Sequence, residues 1–279
     1  MLRLNFVRRP TADHRREGTL VQVWRDLEDT ERAYGYVGPG WWAMEWSKLG
    51  TFRFGPTLGD SVEVTADPEV PVGRIQAVFD RSVVPLLFQA LGHETLHASA
   101  VRASNGVLAF CGERGAGKST IAYGLCRRGF QQYADDTLVL KVGPNQITTT
   151  PLPFAPRLRP ASAEFFTKAW HADARFNFET MSPEPLAAVF ILRQATLPYA
   201  PVVEPLTPHQ AFRAVLAHAH SFDPESPDSR RRLVQNYLEI SGCVPMFAVA
   251  YTPGLDRLEA LLDAVMAAAG QPSAVLAST

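Results

Sequence analysis

The chain has 279 residues, 46% of them hydrophobic and 20% charged, with a formal net charge of −1. That length supports one large core or two modest ones, and the near-neutral charge argues against nonspecific binding to nucleic acid or to a membrane surface. Three widely spaced cysteines, Cys111, Cys126 and Cys243, exclude a disulfide framework or a zinc-ligand spacing and fit a reducing cytoplasm.

Met1-Leu-Arg-Leu-Asn-Phe-Val-Arg-Arg9 is too short and too charged an apolar run for a signal peptide. No stretch reaches the roughly 18 apolar residues that span a bilayer, so the expectation is a cytoplasmic protein with no membrane partner. Residues 1–80 read as a small β-rich domain. Leu2-Leu4-Phe6, Leu20-Val21-Val23-Trp24 and Val62-Val64 form short strands between Gly, Pro and Asp signals. Inside it, residues 34–46 hold three of the five tryptophans, either packing aromatics or a recognition surface for an acceptor. The arginine clusters at 8–9, 15–16 and 230–232 read as solvated faces.

Residues 81–279 read as a second, α/β domain. Positions 82–91 form a helix that tolerates Pro85 only in its first turn. Strands at 96–103 and 106–111 flank an Asn-Gly hairpin signal, and a helix closed by Gly129 follows. Residues 130–142 are strand-like, 147–150 a further strand, and 151–160 a proline-rich bend. A buried strand at 187–192, a helix over 208–219 carrying His218 and His220 on different faces, and a C-terminal helix over 255–268 complete it. Residues 271–279 are expected to be a disordered tail.

Gly112-Glu-Arg-Gly-Ala-Gly-Lys-Ser-Thr120 carries the chemistry. It matches G-x-x-x-x-G-K-[ST], and it lies between an apolar strand and a helix, where such a loop must lie. Gly112, Gly115 and Gly117 let the backbone curl, with Glu113, Arg114 and Ala116 between them, so that amides point at phosphate oxygens. The following helix adds its positive N-terminal end there. Lys118 can reach the β- and γ-phosphates, Ser119 can ligate Mg²⁺, and Thr120 completes the turn. The segment predicts binding of a nucleoside triphosphate, with ATP and Mg²⁺ as the cofactors.

Asp135-Asp136 lies 17 and 18 residues beyond Lys118, one helix and one short strand away. One carboxylate there can hold Mg²⁺ and the other can take the proton of an attacking hydroxyl; the alternative is an ordinary turn before a strand. His97, 15 residues before the loop, can approach the same site as a proton carrier or charge partner, or be structural. His93 reads as an ordinary surface or core residue. No strand after the pair ends in an acid as a Walker B strand does, since Phe190-Ile-Leu-Arg193 ends in arginine. This points away from motor and transporter ATPases and toward a phosphotransferase.

Leu96-His97, Gly112 to Ser119 and Ala134-Asp135-Asp136, taken with their spacing, resemble the catalytic domain of bacterial HPr kinase/phosphorylase. The likeness is to the branch of HPr-kinase-like proteins found with ribosomally made peptides, and it covers residues 96–137. It implies an α/β fold with a P-loop mixed sheet of the HPr kinase and PEP carboxykinase type, beside the smaller N-terminal domain. It implies ATP- and Mg²⁺-dependent transfer to a serine hydroxyl of a peptide or small protein. Residues 112–120 would hold the nucleotide, Ser119 and Asp135 the metal, Asp136 the acceptor hydroxyl, and His97 would be the active-site histidine. Arg157 falls near a phosphate-contacting arginine of that family, with Arg159 beside it. The family's glycine-rich signature after the Asp pair is absent, with Pro156-Arg-Leu-Arg-Pro160 in its general place. The reverse phosphorylase reaction, hexameric assembly and HPr itself are therefore not carried over, and a homo-oligomer is left open. A kinase of a small hydroxylated metabolite and an ATP-sensing module are the alternative readings.

Overall fold

The computed structural model describes residues 3–7, 18–25, 32–59, 61–144, 146–152, 158, 160–169, 182–195 and 200–270. Arg157, Arg159 and the 271–279 tail lie outside the described residues, as does most of the proline-rich 151–160 segment. The chain divides into two compact units, Met1–His93 with Ser221–Leu233, and Glu94–His220 with Val234–Thr279.

In the first unit, alternating apolar residues make strands β1 (Arg3–Val7), β2 (Thr19–Arg25), β3 (Arg32–Gly38), β4 (Trp41–Trp46), β5 (Gly50–Phe54) and β6 (Ser61–Ala66). They form one six-stranded sheet, antiparallel throughout except where β1 runs parallel to β6. Helices α1 (Val72–Val78) and α2 (Val84–Ala90) follow, joined by a π-helical turn over Phe79–Val83. The helical run therefore starts ten residues before position 82. Pro85 is accommodated because it sits at the start of α2, immediately after the widened turn. This run keeps residues 81–93 with the first unit, so the boundary lies at His93 and not near residue 80. Ser221–Leu233 returns to the same unit through Phe222, whose ring stacks on Trp42 at 4.6 Å and whose N–H donates to Gln89. The tryptophan-rich 34–46 segment is thus a β3–β4 hairpin whose aromatics pack, Trp41 beneath Arg53 and Trp46 against Phe52.

The second unit is built on a ten-stranded mixed sheet. Its strands are β7 (Glu94–Leu96), β8 (Ala98–Ala103), β9 (Gly106–Gly112), β10 (Gln131–Ala134), β11 (Leu138–Val142), β12 (Ile147–Thr150), β13 (Glu184–Gln194), β14 (Val202–Pro205), β15 (Ala219–His220) and β16 (Met246–Tyr251). The central strand β9 is buried at every residue, which is why its sequence is a continuous apolar run. It pairs antiparallel with β8 and parallel with β13, and β13 pairs parallel with β16. The hairpin turn is Ser104-Asn105, with Gly106 already the first paired residue of β9.

Helices α3 (Lys118–Arg127), α4 (Pro160–Ala169), α5 (Pro208–Leu216), α6 (Pro227–Cys243) and α7 (Leu258–Ala268) complete the chain. Ile121 and Leu125 of α3 and Leu258, Leu262 and Val265 of α7 share a core with Leu108, Phe110, Phe190 and Val249 of the sheet. Gly129 ends α3 at a φ of 96°, with Phe130 N–H donating back to Leu125. α5 opens on a capping box between Thr207 and Gln210 and stops at Leu216. His218 and His220 are therefore not helical: His218 follows the helix and His220 lies in β15. Residues 130–142 are likewise not one strand but two, β10 and β11, broken at Asp135-Asp136-Thr137.

Candidate active site

That break is what builds the site. β10 pairs with β8 and β11 with β7, so the chain changes partner at the same level in both runs, at His97 in one and at residues 135–137 in the other. A continuous strand would have turned alternate side chains to opposite faces. The break lets Asp135 and Asp136 serve one cleft in different ways. Asp135 is 4% exposed, whereas the Asp136 side chain is 75% exposed. Asp136 adopts a φ of 69°, a left-handed conformation that aspartate tolerates better than most residues.

Asp135 Oδ1 accepts from Ser99 at 2.7 Å and from Ser119 at 2.8 Å, and the two hydroxyls lie 3.3 Å apart. His97 Nδ1–H donates to the Asp136 carbonyl at 2.9 Å and lies 3.4 Å from its carboxylate. A carbonyl can only accept, so that bond places a proton on Nδ1. His97 is held from behind as well, by its own N–H to the His218 carbonyl at 2.8 Å.

The loop itself is shaped by where its carbonyls go. Lys118 Nζ donates to the Gly112 and Glu113 carbonyls at 2.9 and 3.3 Å. Gln194 at the end of β13 donates to the Gly115 carbonyl at 3.1 Å, and Tyr251 at the end of β16 donates to that of Ala116. Among the described residues, by contrast, the amides of Arg114, Gly115, Gly117, Lys118, Ser119 and Thr120 have no hydrogen-bond acceptor. A row of such amides at a helix N-terminus is an anion cradle. Gly115 and Gly117 take φ values of 94° and 81°, which the curl requires. Burial holds the Lys118 ammonium below its ordinary pKa, opposed by the carboxylates of Asp136, Asp135 and Glu113.

The cleft bounded by the loop, His97, Ser99, Asp135, Asp136 and Ser162 encloses about 540 Å³. A triphosphate fits that lining, with amides and Lys118 for its charge and hydroxyls of Thr120 and Ser162 beyond. Among the described residues no group of three or more His, Cys, Asp or Glu could hold a metal by itself. The Ser119 hydroxyl and the Asp135 carboxylate are two hard oxygen donors, the few protein ligands Mg²⁺ needs when phosphates and water supply the rest. Burial pushes the Cys111 and Cys126 thiols up to about 12, so neither is a nucleophile.

Of the residues that the sequence singles out, 112–120, His97, Asp135 and Asp136 come together here, and Arg157 lies outside the described residues. Ser99, Ser162, Gln194 and Tyr251 carry no motif. Ser99 could have been found from strand geometry, since it is two residues from His97 across one strand joint. β13, the parallel neighbour of β9, reaches the loop with Leu192 opposite Gly112, and the next residue is Arg193. The acid of the site comes from the antiparallel side of β9 instead.

No family model matches the chain, and no curated protein matches it in sequence. Among solved structures, the Hpr(Ser) kinase/phosphatase from Coxiella burnetii overlaps 62% of this chain and 89% of its own, at 14% identity and a TM-score of 0.37. Similarity at that TM-score carries no argument about chemistry, which rests on the residues of the site. Among the described residues no helix is long and apolar enough to cross a membrane.

Proposed function

We propose that the protein is an ATP- and Mg²⁺-dependent kinase that moves the γ-phosphoryl group to a serine hydroxyl of a peptide or small protein. The observation that carries this reading is the split of the Asp pair, one carboxylate buried on the Ser119 hydroxyl and the other open to the cleft and touched by His97. The six acceptor-free amides and Lys118 bind the β- and γ-phosphate oxygens, replacing the Lys118 bonds to Gly112 and Glu113. Ser119 and Asp135 hold Mg²⁺, which when bound neutralises phosphate charge and fixes the phosphate geometry. Asp136 takes the proton of the acceptor hydroxyl as its oxygen bonds to the γ-phosphorus. The bond from that phosphorus to the β,γ-bridging oxygen breaks, and ADP leaves. His97 is a positioning residue that holds Asp136 through its carbonyl and, when protonated, through its carboxylate.

A protein that only senses ATP needs the cradle but no exposed carboxylate beside it, so the placement of Asp136 favours turnover. Asp136→Asn is the test. It should keep nucleotide affinity within about twofold and reduce transfer by at least the 10²–10⁴-fold typical of general-base loss. Transfer is read as a phosphate mass gain on a serine-containing peptide. A fully active Asp136→Asn removes the base assignment, and a Lys118→Ala protein that still binds ATP as the parent does removes the cradle. A small hydroxylated metabolite as acceptor is the second reading, favoured by a recess of about 500 Å³ against Gly112 and Glu113.

A further inference from the structure

A second recess, of about 500 Å³, lies against Gly112 and Glu113, the two loop residues whose carbonyls Lys118 holds. It opens at the carboxyl ends of the parallel strands β9 and β13, the position where open α/β sheets take ligands. Ile191 and Leu192 of β13 floor it, and Arg193, His209, Arg213 and His218 line its wall. No acid or hydrogen-bond acceptor among the described residues pairs with either Arg193 or Arg213. Arg102, Arg128, Arg230 and Arg231, by contrast, are engaged with carboxylates. Among the described residues, Glu113 is the only carboxylate of the lining and forms no ion pair with them. Two arginines that line one partly apolar recess, with no described protein anion paired to either, match an oxyanion of a ligand.

The recess adjoins the proposed site of transfer. His218 lines it and, through its carbonyl, holds the backbone of His97 in the phosphate cleft. Lys118 lies on the opposite side of Gly112 and Glu113. We infer that this recess binds the acceptor by an anionic group, a carboxylate or phosphate carried near the hydroxyl that is phosphorylated. The inference rests on the kinase reading above and adds to it the chemical class of the acceptor: Arg193 and Arg213 pair the oxyanion, and the hydroxyl is thereby presented toward Asp136. The proton and phosphoryl movements are those already given. Whether the oxyanion is carried by a free small molecule or by an acidic peptide, the chemistry read by the two arginines is the same.

The test uses the full chain with its phosphate cradle filled by Mg²⁺ and a non-hydrolysable ATP analogue. Glycerate, glycerol 3-phosphate, glycerol and a serine peptide flanked by glutamates are titrated by calorimetry. At least one anionic probe should bind and glycerol should not. Binding by the small probes assigns a free acceptor, and binding by the peptide alone assigns a peptide acceptor. Arg193→Ala and Arg213→Ala should each weaken the bound anion about 10- to 100-fold, with Arg→Lys restoring part of it. Both arginines are exposed, so the variants should melt with the parent; Arg193→Gln and Arg213→Gln serve if an alanine variant does not. Affinity for the ATP analogue should not change. The inference is overturned if no anionic probe binds, or if the double variant binds the anion as the parent does. Failure of the kinase reading looks different: the ATP analogue does not bind, while the anion titration of the nucleotide-free protein still responds to Arg193 and Arg213.

Discussion

Replacing Ser99 by alanine should destabilise the second unit and loosen Asp135. Ser99 is fully buried, and its hydroxyl is one of two described hydroxyl donors on a single carboxylate oxygen, at 2.7 Å beside the 2.8 Å bond from Ser119. A hydrogen bond to a nearly buried charged group is worth about 1.5–3 kcal/mol, because its loss leaves the charge with one donor fewer. At about 2–4 °C per kcal/mol for a unit of this size, the melting transition should fall by roughly 3–12 °C. Scanning calorimetry reads this, with the two units permitted separate transitions. Adding Ser119→Ala removes both described hydroxyl donors to Oδ1. The double variant should then lose more than the sum of the single losses, by about 0.5–3 kcal/mol. A Ser99→Ala protein that melts within about 1 °C of the parent, or strict additivity in the cycle, refutes the account of Asp135 as a carboxylate held by two hydroxyls.

Tyr251→Phe removes the donor that holds the Ala116 carbonyl away from the cradle, and should weaken ATP binding about 2- to 12-fold in equilibrium titration. Gly117→Ala places a Cβ at a φ of 81° and 3.1 Å from the Tyr251 hydroxyl. It should cost at least the 1–2 kcal/mol of a left-handed L-residue in urea unfolding, together with nucleotide affinity. His218 has its pKa lowered from 6.5 by burial, and further by the charge of Lys118. Below about pH 6.5 the unfolded chain therefore binds a proton that the folded chain resists, so stability falls as pH falls through that value. Urea midpoints between pH 7.5 and 5.5 should show a shallower drop in His218→Gln than in the parent; an identical drop rejects the assignment.

Local signals in the chain were legible where one segment carries the whole of its own physics. The loop 112–120, the 104–106 turn, the glycine stop of α3 and the start of α5 need only residues within a few positions of each other. The strand expected over 130–142 is two because strand-forming residues lie on both sides of the Asp pair, Tyr133-Ala134 before it and Leu138-Val-Leu140 after it, while the interruption is imposed by pairing with two different partners, β8 and β7. His218 and His220 were read as helical for a similar reason. The helical pattern runs past Leu216, but β7 takes Ala219 and His220 as a strand partner. α6 has a diffuse pattern of apolar residues, with Tyr237 and Ile240 buried among many charges, and no periodicity marked it.

By itself, then, the amino-acid order determined a glycine-rich loop of phosphate-binding pattern between a buried strand and a helix, with a histidine before it and two acids after it. Which acid does what was a tertiary matter, because adjacent carboxylates have identical sequence context. The double change of strand partner buries Asp135 on Ser99 and Ser119 and leaves Asp136 open beside His97. The carbonyl ties from Gln194 and Tyr251, and the recess holding Arg193 and Arg213, arise only when the carboxyl ends of three parallel strands meet at the loop. Residues 79 to 135 positions from the loop carbonyls they hold carry no local mark of that meeting, since hydrogen bonds formed across a sheet depend on strand order and not on sequence distance.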